Sequence, residues 1–327
     1  MQTRLTEMLG IEHPILSAPM GVAAGGKLAA AVSAAGGLGL IGGGYGDAAW
    51  LEREFAAAGT ARVGCGFITW SLAQKPQLLD LVLAQTPVAV MLSFGELAPF
   101  APRIKAAGAR LMCQVQTLAL AREAVAAGAD VIVAQGAEAG GHGLARATFT
   151  LVPEIADYLA GAAPDTVLVA AGGVADGRGL AAALMLGADG VLVGTRFWAS
   201  SEALVAPSLQ AAAVAADGDS TVRTTVPDVA RRYHWPGSFT ARAIRSRFVD
   251  DWHGRESVLA EPGTLEREEA RYWQGFHAGD PDNTCMLAGE AVGLMHDVAP
   301  AGDIVQRMTR EAQALLARAA GTRARVA

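Results

Sequence analysis

A chain of 327 residues, 52% of them hydrophobic, has material for one large α/β domain or two smaller ones and reads as globular. Its net charge of -6, with no block of like charges long enough to track a phosphate backbone, argues against nucleic acid and for a small-molecule partner. The N-terminus carries Arg4 and Glu7 but no apolar signal core, and glycines and polar residues interrupt the longest uncharged stretch, Leu28 to Tyr45, so neither secretion nor a membrane span is expected.

From the N-terminus a unit recurs: an Ala-rich helical stretch, a terminating Gly, then four to six apolar residues. Pro14-Ile-Leu-Ser17 is the first strand. Gly36 precedes Leu38–Ile41, Gly59 precedes Arg62–Phe67, Gly108 precedes Arg110–Gln114, Gly128 precedes Val131–Ala134, and Gly187 precedes Gly190–Val193. Val88–Leu92 and Thr166–Ala170 enter instead through Pro87 and Pro164. Eight short apolar strands, separated mostly by about 20 to 26 positions of helical pattern, predict an α/β protein, a (β/α)8 TIM barrel with an inserted, mainly helical subdomain. The alternative is a doubly wound open sheet, for which Gly37-Leu-Gly39-Leu-Ile-Gly42 satisfies G-x-G-x-x-G. That match contains a strand, whereas a dinucleotide fingerprint follows one and opens a helix.

After Gly194 the rhythm changes. From Pro207 to Cys285 charges rise and three of the six tryptophans occur, Trp235, Trp252 and Trp273. The expected organisation is a barrel over 1–206, completed by 286–327, and a helical substrate-side subdomain over 207–285 above the barrel's C-terminal mouth. From Leu287 the apolar pattern returns through Val292, Leu294 and Met295, then Ile304, Val305, Met308 and Leu315, as closing helices.

The chemistry gathers at predicted strand ends, where parallel α/β proteins build their sites. The sixth strand leads into Gln135-Gly-Ala-Glu-Ala-Gly-Gly-His142-Gly, which presents one titratable ring among glycines too small to shield it. The seventh ends in Gly172-Gly173-Val-Ala-Asp176 and the eighth in Gly194-Thr195-Arg196. Paired glycine turns after strands seven and eight suit a phosphate, held by backbone N–H groups and a following helix N-terminus. Ala18, Pro19 and Met20 after strand one leave room for a flat ring, and Gln114 and Gln135 supply neutral amides for its polar edge. A phosphate, a flat slot and amides between them describe FMN better than a sugar phosphate.

Gln135-Gly-x-Glu-Ala-Gly-Gly-His142-Gly, Ala170-Ala-Gly-Gly-Val-Ala-Asp-Gly-Arg-Gly179, Val193-Gly-Thr-Arg-Phe197 and Ala288-Gly-Glu-Ala-Val-Gly-Leu294 together resemble the nitronate monooxygenase family, over nearly the whole chain. The resemblance implies an FMN-dependent TIM barrel that oxidises alkyl nitronates with O2 to a carbonyl compound and nitrite. It implies Gln135, Gly140, Gly173, Gly194 and Thr195 as FMN contacts and His142 as the catalytic residue. Family members commonly carry Asn near the end of strand three, where this chain has Gly66-Phe-Ile-Thr69, and many follow the histidine with Arg-Gly, where this chain has Gly143-Leu-Ala-Arg146. The enoyl-acyl-carrier-protein reductases share much of the pattern and some relatives are quinone reductases, so the alternative is an FMN-dependent NAD(P)H reductase. A flavin carrier without turnover is a third reading.

A histidine with an ordinary pKa of about 6.5 suits removal of a nitroalkane's α-proton or retention of an anionic nitronate. Glu138 orients His142 or points to solvent. Tyr233, His234 and Trp235 line the substrate mouth or pack a core, core packing being favoured, and Arg231-Arg232 fits a solvated face better than an anion clamp. No metal is expected, because the remaining histidines show no i,i+4 pairing. Cys65, Cys113 and Cys285 form no C-x-x-C pair and fit core positions in a reducing compartment, the cytoplasm; a homo-oligomer is compatible with the sequence.

Overall fold

The computed structural model describes residues 1–237 and 239–322. Eight strands close a parallel barrel: β1 (Ile15–Ser17), β2 (Leu38–Gly42), β3 (Gly64–Ile68), β4 (Ala89–Ser93), β5 (Arg110–Val115), β6 (Val131–Gln135), then β8 (Val167–Ala171) and β9 (Gly190–Val193), with β9 returning to β1. The predicted TIM barrel is the observed fold. A short strand β7 (Gly141–Gly143) leaves the barrel between β6 and β8 and carries His142.

Alternation along each strand sorts side chains to two faces. Leu16, Met112, Val131, Val133, Val167 and Val169 fill the barrel interior, while Ile15, Leu111, Cys113, Ile132 and Val191 face the surrounding helices. Leu5 and Leu9, on the helix Arg4–Leu9, plug the barrel's N-terminal end. The opposite end is thereby left for a site. The register sets Ser93 beside Gln114 and Gln135 beside Ala171 at that C-terminal rim.

The G-x-G-x-x-G match has a packing cause. A Cβ at Gly39 would stand 2.0 Å from the Ala29 carbonyl oxygen and one at Gly42 2.4 Å from that of Met20. These glycines let the helix Gly26–Ala34 and the β1 loop approach β2. All three cysteines are buried free thiols, and burial pushes Cys113 up to about 12.

The stretch over 207–285 contains the helices Pro207–Ala215, Val226–Ala230, Arg247–Trp252, Glu256–Leu259 and Pro262–Ala278. It also contains two strands that the sequence reading missed, β10 (Thr221–Thr224) and β11 (Thr240–Ile244). They pair antiparallel with each other, and β11 pairs with β7, His142 lying opposite Ala241. Both are short and carry an inner arginine, so their β-branched pattern was weak; Arg223 and Arg242 face each other across the ladder. Arg242 is paired with Glu290 at 2.9 Å, which relieves that opposition. Beyond Leu287 the chain forms a 3₁₀ turn, Glu290–Leu294, and one long helix, Ala301–Thr322, rather than helices throughout. Among the described residues no helix is long and apolar enough to cross a membrane.

Candidate active site

Every site residue expected from the sequence lines one cavity of ≈ 300 Å³ at the barrel's C-terminal mouth: Ala18, Pro19 and Met20 after β1, Gln114 on β5, Gln135 on β6, Gly140 and His142 on the following loop and β7, Gly172 and Gly173 after β8, and Gly194 and Thr195 after β9. The fold, not the linear order, brings these together.

The amides form a fixed set. Gln135 Oε1 accepts from Gln114 Nε2 and from Gln116 Nε2, both at 2.8 Å, and Gln135 Nε2 donates to the His142 carbonyl at 3.0 Å. Gln116 was not anticipated. It is fully buried and uses its amide to orient Gln135, so that Gln135 in turn holds the histidine loop.

Small residues bring the loops into contact. A Cβ at Gly140 would lie 2.6 Å from the backbone of Ala288 and Gly289, and the Gly289 N–H donates to Thr195 Oγ1 at 2.9 Å. The segment Ala288-Gly289-Glu290 therefore clamps the histidine loop to the β9 loop. Gly172 and Gly173 have φ of +100° and +75°, which only glycine adopts without strain. A Cβ at Gly66 would stand 2.3 Å from Pro19 Cγ, so Pro19 excludes any side chain from that position, including an asparagine.

One element of the expected phosphate site is corrected. The N-terminal turn of the helix Gly177–Met185 is already occupied by protein carboxylates: Asp176 accepts from Arg178 N at 2.9 Å and Gly179 N at 3.2 Å, and Glu311 accepts from Gly177 N at 3.0 Å. The turns Gly172–Gly173 and Gly194–Thr195 remain in the cavity lining. Among the described residues the lining contains no Asp, Glu or Lys, and the nearby Glu138 carboxylate is turned onto Thr148. Flat apolar walls, a glycine cradle and two amides, Gln114 and Gln135, fit a flavin mononucleotide.

Glu138 neither faces His142 nor points to solvent: its carboxylate accepts from Thr148 N at 3.0 Å and Thr148 Oγ1 at 2.9 Å, at the start of the helix Thr148–Ala162. The partner of His142 is Asp228, whose two oxygens lie 2.9 and 3.0 Å from Nε2. Both residues are buried. A ring nitrogen held between carboxylate oxygens donates, so Nε2 carries the proton and Nδ1 is the basic atom. Burial pushes the imidazole below its ordinary value, the Asp228 hydrogen bond and charge opposing it, so the ring is neutral at neutral pH.

Asp228 is held in turn by Arg231 Nη2 at 3.1 Å, while Arg231 Nε donates to the Pro227 carbonyl at 2.7 Å. Arg231 is not on a solvated face. Its guanidinium lies 5.0 Å from the Tyr233 ring centroid and 5.8 Å from that of Tyr45. Tyr233 and Trp235 line the cavity rather than a separate core, and His234 is exposed. The Trp235 ring stacks on His142 at 3.4 Å between centroids and 7° between planes; its Nε1 donates to the Tyr45 hydroxyl at 3.1 Å. Tyr45 stacks on Tyr233 at 3.8 Å. Asp228, Arg231, Tyr45 and Phe94 were not foreseen; the weak signal for the first was a lone aspartate in Val226-Pro-Asp-Val-Ala230, among apolar neighbours.

The chain matches the family model described as nitronate monooxygenase over residues 2–63 and 67–311. It is 34% identical to a nitronate monooxygenase of Neurospora crassa, covering 91% of this chain and 89% of that protein. It is 38% identical to a 5-hydroxy-7a-methyl-1-oxo-octahydro-1H-indene-4-carboxyl-CoA dehydrogenase of Mycobacterium tuberculosis, covering 84% of this chain and 77% of that one. Among solved structures it is similar to FabK from Thermotoga maritima, with a TM-score of 0.85, 30% identity and coverage of 98% and 99%.

Proposed function

The chain belongs to the nitronate monooxygenase family of flavin-dependent oxidoreductases, and from that premise we propose that it binds FMN and oxidises alkyl nitronates with O2 to a carbonyl compound and nitrite. The observation that carries the reading is a buried, neutral imidazole, held by a carboxylate at Nε2, beside a glycine-walled cavity without acidic residues.

Under this reading Gly172, Gly173, Gly194 and Thr195 receive the phosphate. Ala18, Pro19 and Met20 form the floor under the flavin ring, Gln114 and Gln135 meet its polar edge, and Gly140 keeps the histidine loop close. Bound flavin supplies electron acceptance and the reaction with O2. The protein's own residues position the proton chemistry. His142 Nδ1 takes the α-proton of a neutral nitroalkane, or, once protonated, holds a nitronate's oxygen. Asp228 keeps the tautomer and stabilises the imidazolium as it forms. Arg231, itself packed between tyrosines, holds Asp228 in place.

The likeness to FabK and to the CoA dehydrogenase supports a second reading, a reductase that takes hydride from NAD(P)H. Anaerobic addition of a nitronate, NADH or NADPH to the purified yellow protein separates the two. Bleaching by nitronate, with nitrite released on readmission of air, is the expected result. Rapid bleaching by NADH or NADPH with little nitrite from any nitronate overturns it.

A further inference from the structure

Beside His142 the cavity wall is made of rings: Trp235 stacked on the imidazole, Tyr45, Tyr233 and Phe94 around it, and Trp273 and Phe276 from the helix Pro262–Ala278. Among the described lining residues, Arg231 is the ionisable side chain apart from His142 and the tyrosines. Its charge is already spent on Asp228, 3.1 Å away, and its faces are covered by Tyr45, Tyr233 and Tyr272. A carboxylate on a substrate's tail would lose its hydration here and find no free cation among the described lining residues; Arg223, whose Nε and Nη2 lack partners, sits against Gly143, outside the lining. An aryl or alkyl tail instead leaves water and packs on ring faces and edges.

We infer that the substrate is a nitronate with an apolar tail, aromatic or an alkyl chain of several carbons, and that carboxylate-bearing nitronates are excluded. The inference rests on the nitronate reading of the reaction. It assigns Trp235, Trp273 and Phe276 as the residues that choose the tail.

The test has two arms, both on the purified protein with its bound cofactor. In the first, kcat/KM for nitrite release is measured with the nitronates of nitroethane, nitrohexane, phenylnitroethane and nitropropionate. The hexyl and phenyl compounds should exceed nitroethane by about tenfold or more, the scale of a few methylenes in an apolar pocket, and nitropropionate should fall below nitroethane. In the second, quenching of tryptophan emission reports binding of the unreactive amides acetamide, hexanamide and succinamate, whose planar heads mimic a nitronate. Hexanamide should bind tightest and succinamate weakest. Equal kcat/KM across the tails, or a preference for nitropropionate, overturns the inference, as does equal or reversed binding of the amides. If the amides bind in the expected order while no nitronate yields nitrite, the reaction reading falls and the apolar-tail assignment stands. Phe276→Asp, half-buried on its helix, should reduce the hexyl-to-ethyl ratio toward one; an unchanged ratio in a folded variant removes Phe276 from the tail site.

Discussion

Where the barrel meets the cavity it offers glycines, small residues and two amides, and where the inserted segment meets it, it offers aromatic rings and a buried ion pair. On the barrel side the small residues are Ala18-Pro19, Gly140, Gly172-Gly173 and Gly194-Thr195, beside Met20, Gln114 and Gln135; a Cβ would strike backbone at Gly140 and crowd it at Gly172. The other wall is Arg231, Tyr233, Trp235, Trp273 and Phe276, with Asp228 outside the lining, on the Nε2 side of His142. The two walls therefore answer different questions. Backbone N–H groups and flat, small residues can hold a cofactor shared by many enzymes. Rings and one buried carboxylate select a substrate and set the basicity of His142, which lies between the walls on the strand that joins them.

The largest effect should come from charging the backbone wall. Gly173→Asp is expected to abolish flavin retention, since it puts a carboxylate into a cradle whose lining carries none. Gly173→Asn separates charge from strain, because asparagine tolerates a φ of +75° better than other residues. If the Asp and Asn variants retain flavin equally, the anion role of this turn is wrong. Next comes His142→Ala, which should keep the flavin yet lose about 10² to 10⁴-fold in turnover of neutral nitroalkanes, the range for removing a general base. Preformed nitronate lacks the α-proton and should suffer less; an equal loss with both would mean that the imidazole chiefly holds the anion.

The backbone wall was legible in the sequence because each part lies within one βα unit. A strand, two glycines and a helix start are neighbours in the chain, and the barrel repeats them at a spacing that can be followed. The side-chain wall was not legible in the same way. His142 and Asp228 are 86 positions apart, and they meet because β11 pairs with β7 through ladder bonds that no periodicity announced. An aspartate in Val226-Pro-Asp-Val-Ala230 looks like an ordinary residue of a helix's first turn until its carboxylate is seen against an imidazole. Arg231-Arg232 misled for a related reason: of two adjacent arginines, one is buried against tyrosine rings and the other is exposed and paired with Glu269. The helical reading of 207–285 missed β10 and β11 because two short strands with inward arginines carry little apolar signal.

A smaller effect tests the side-chain wall alone. Asp228→Asn should reduce turnover of neutral nitroalkanes by about ten- to a hundredfold, less than loss of the imidazole, because the amide oxygen can still accept from Nε2–H. Asp228 raises the His142 pKa through its hydrogen bond and its charge, so its neutralisation should move the acid limb of the kcat/KM profile to lower pH. A merely structural role would lower activity without moving that limb. Asp228→Ala also leaves Arg231 buried without its partner and should cost roughly 3 to 5 kcal/mol of stability, readable by denaturant titration.

The smallest expected effect is the pH dependence of stability due to His142 itself. Its folded pKa is depressed, chiefly by burial, below the ordinary histidine value of 6.5 that the unfolded chain approaches. Between the folded pKa and 6.5 the unfolded state binds more protons, so stability there rises with pH. The stabilisation is fully present above 6.5 and is lost as pH falls through that window. His13 is also pushed down, first by burial, and adds a slope of the same sign, so only a difference isolates the active-site ring. Subtracting the urea midpoints of His142→Gln from those of the unmodified protein, from about pH 5 to 7.5, removes the contribution of His13. The difference should narrow on the acid side, where protonating His142 at Nδ1 puts a charge into a buried, poorly solvated ring. A constant difference across the range would mean that His142 titrates alike in both states, and that the carboxylate and aromatic wall leave its basicity where it is in water.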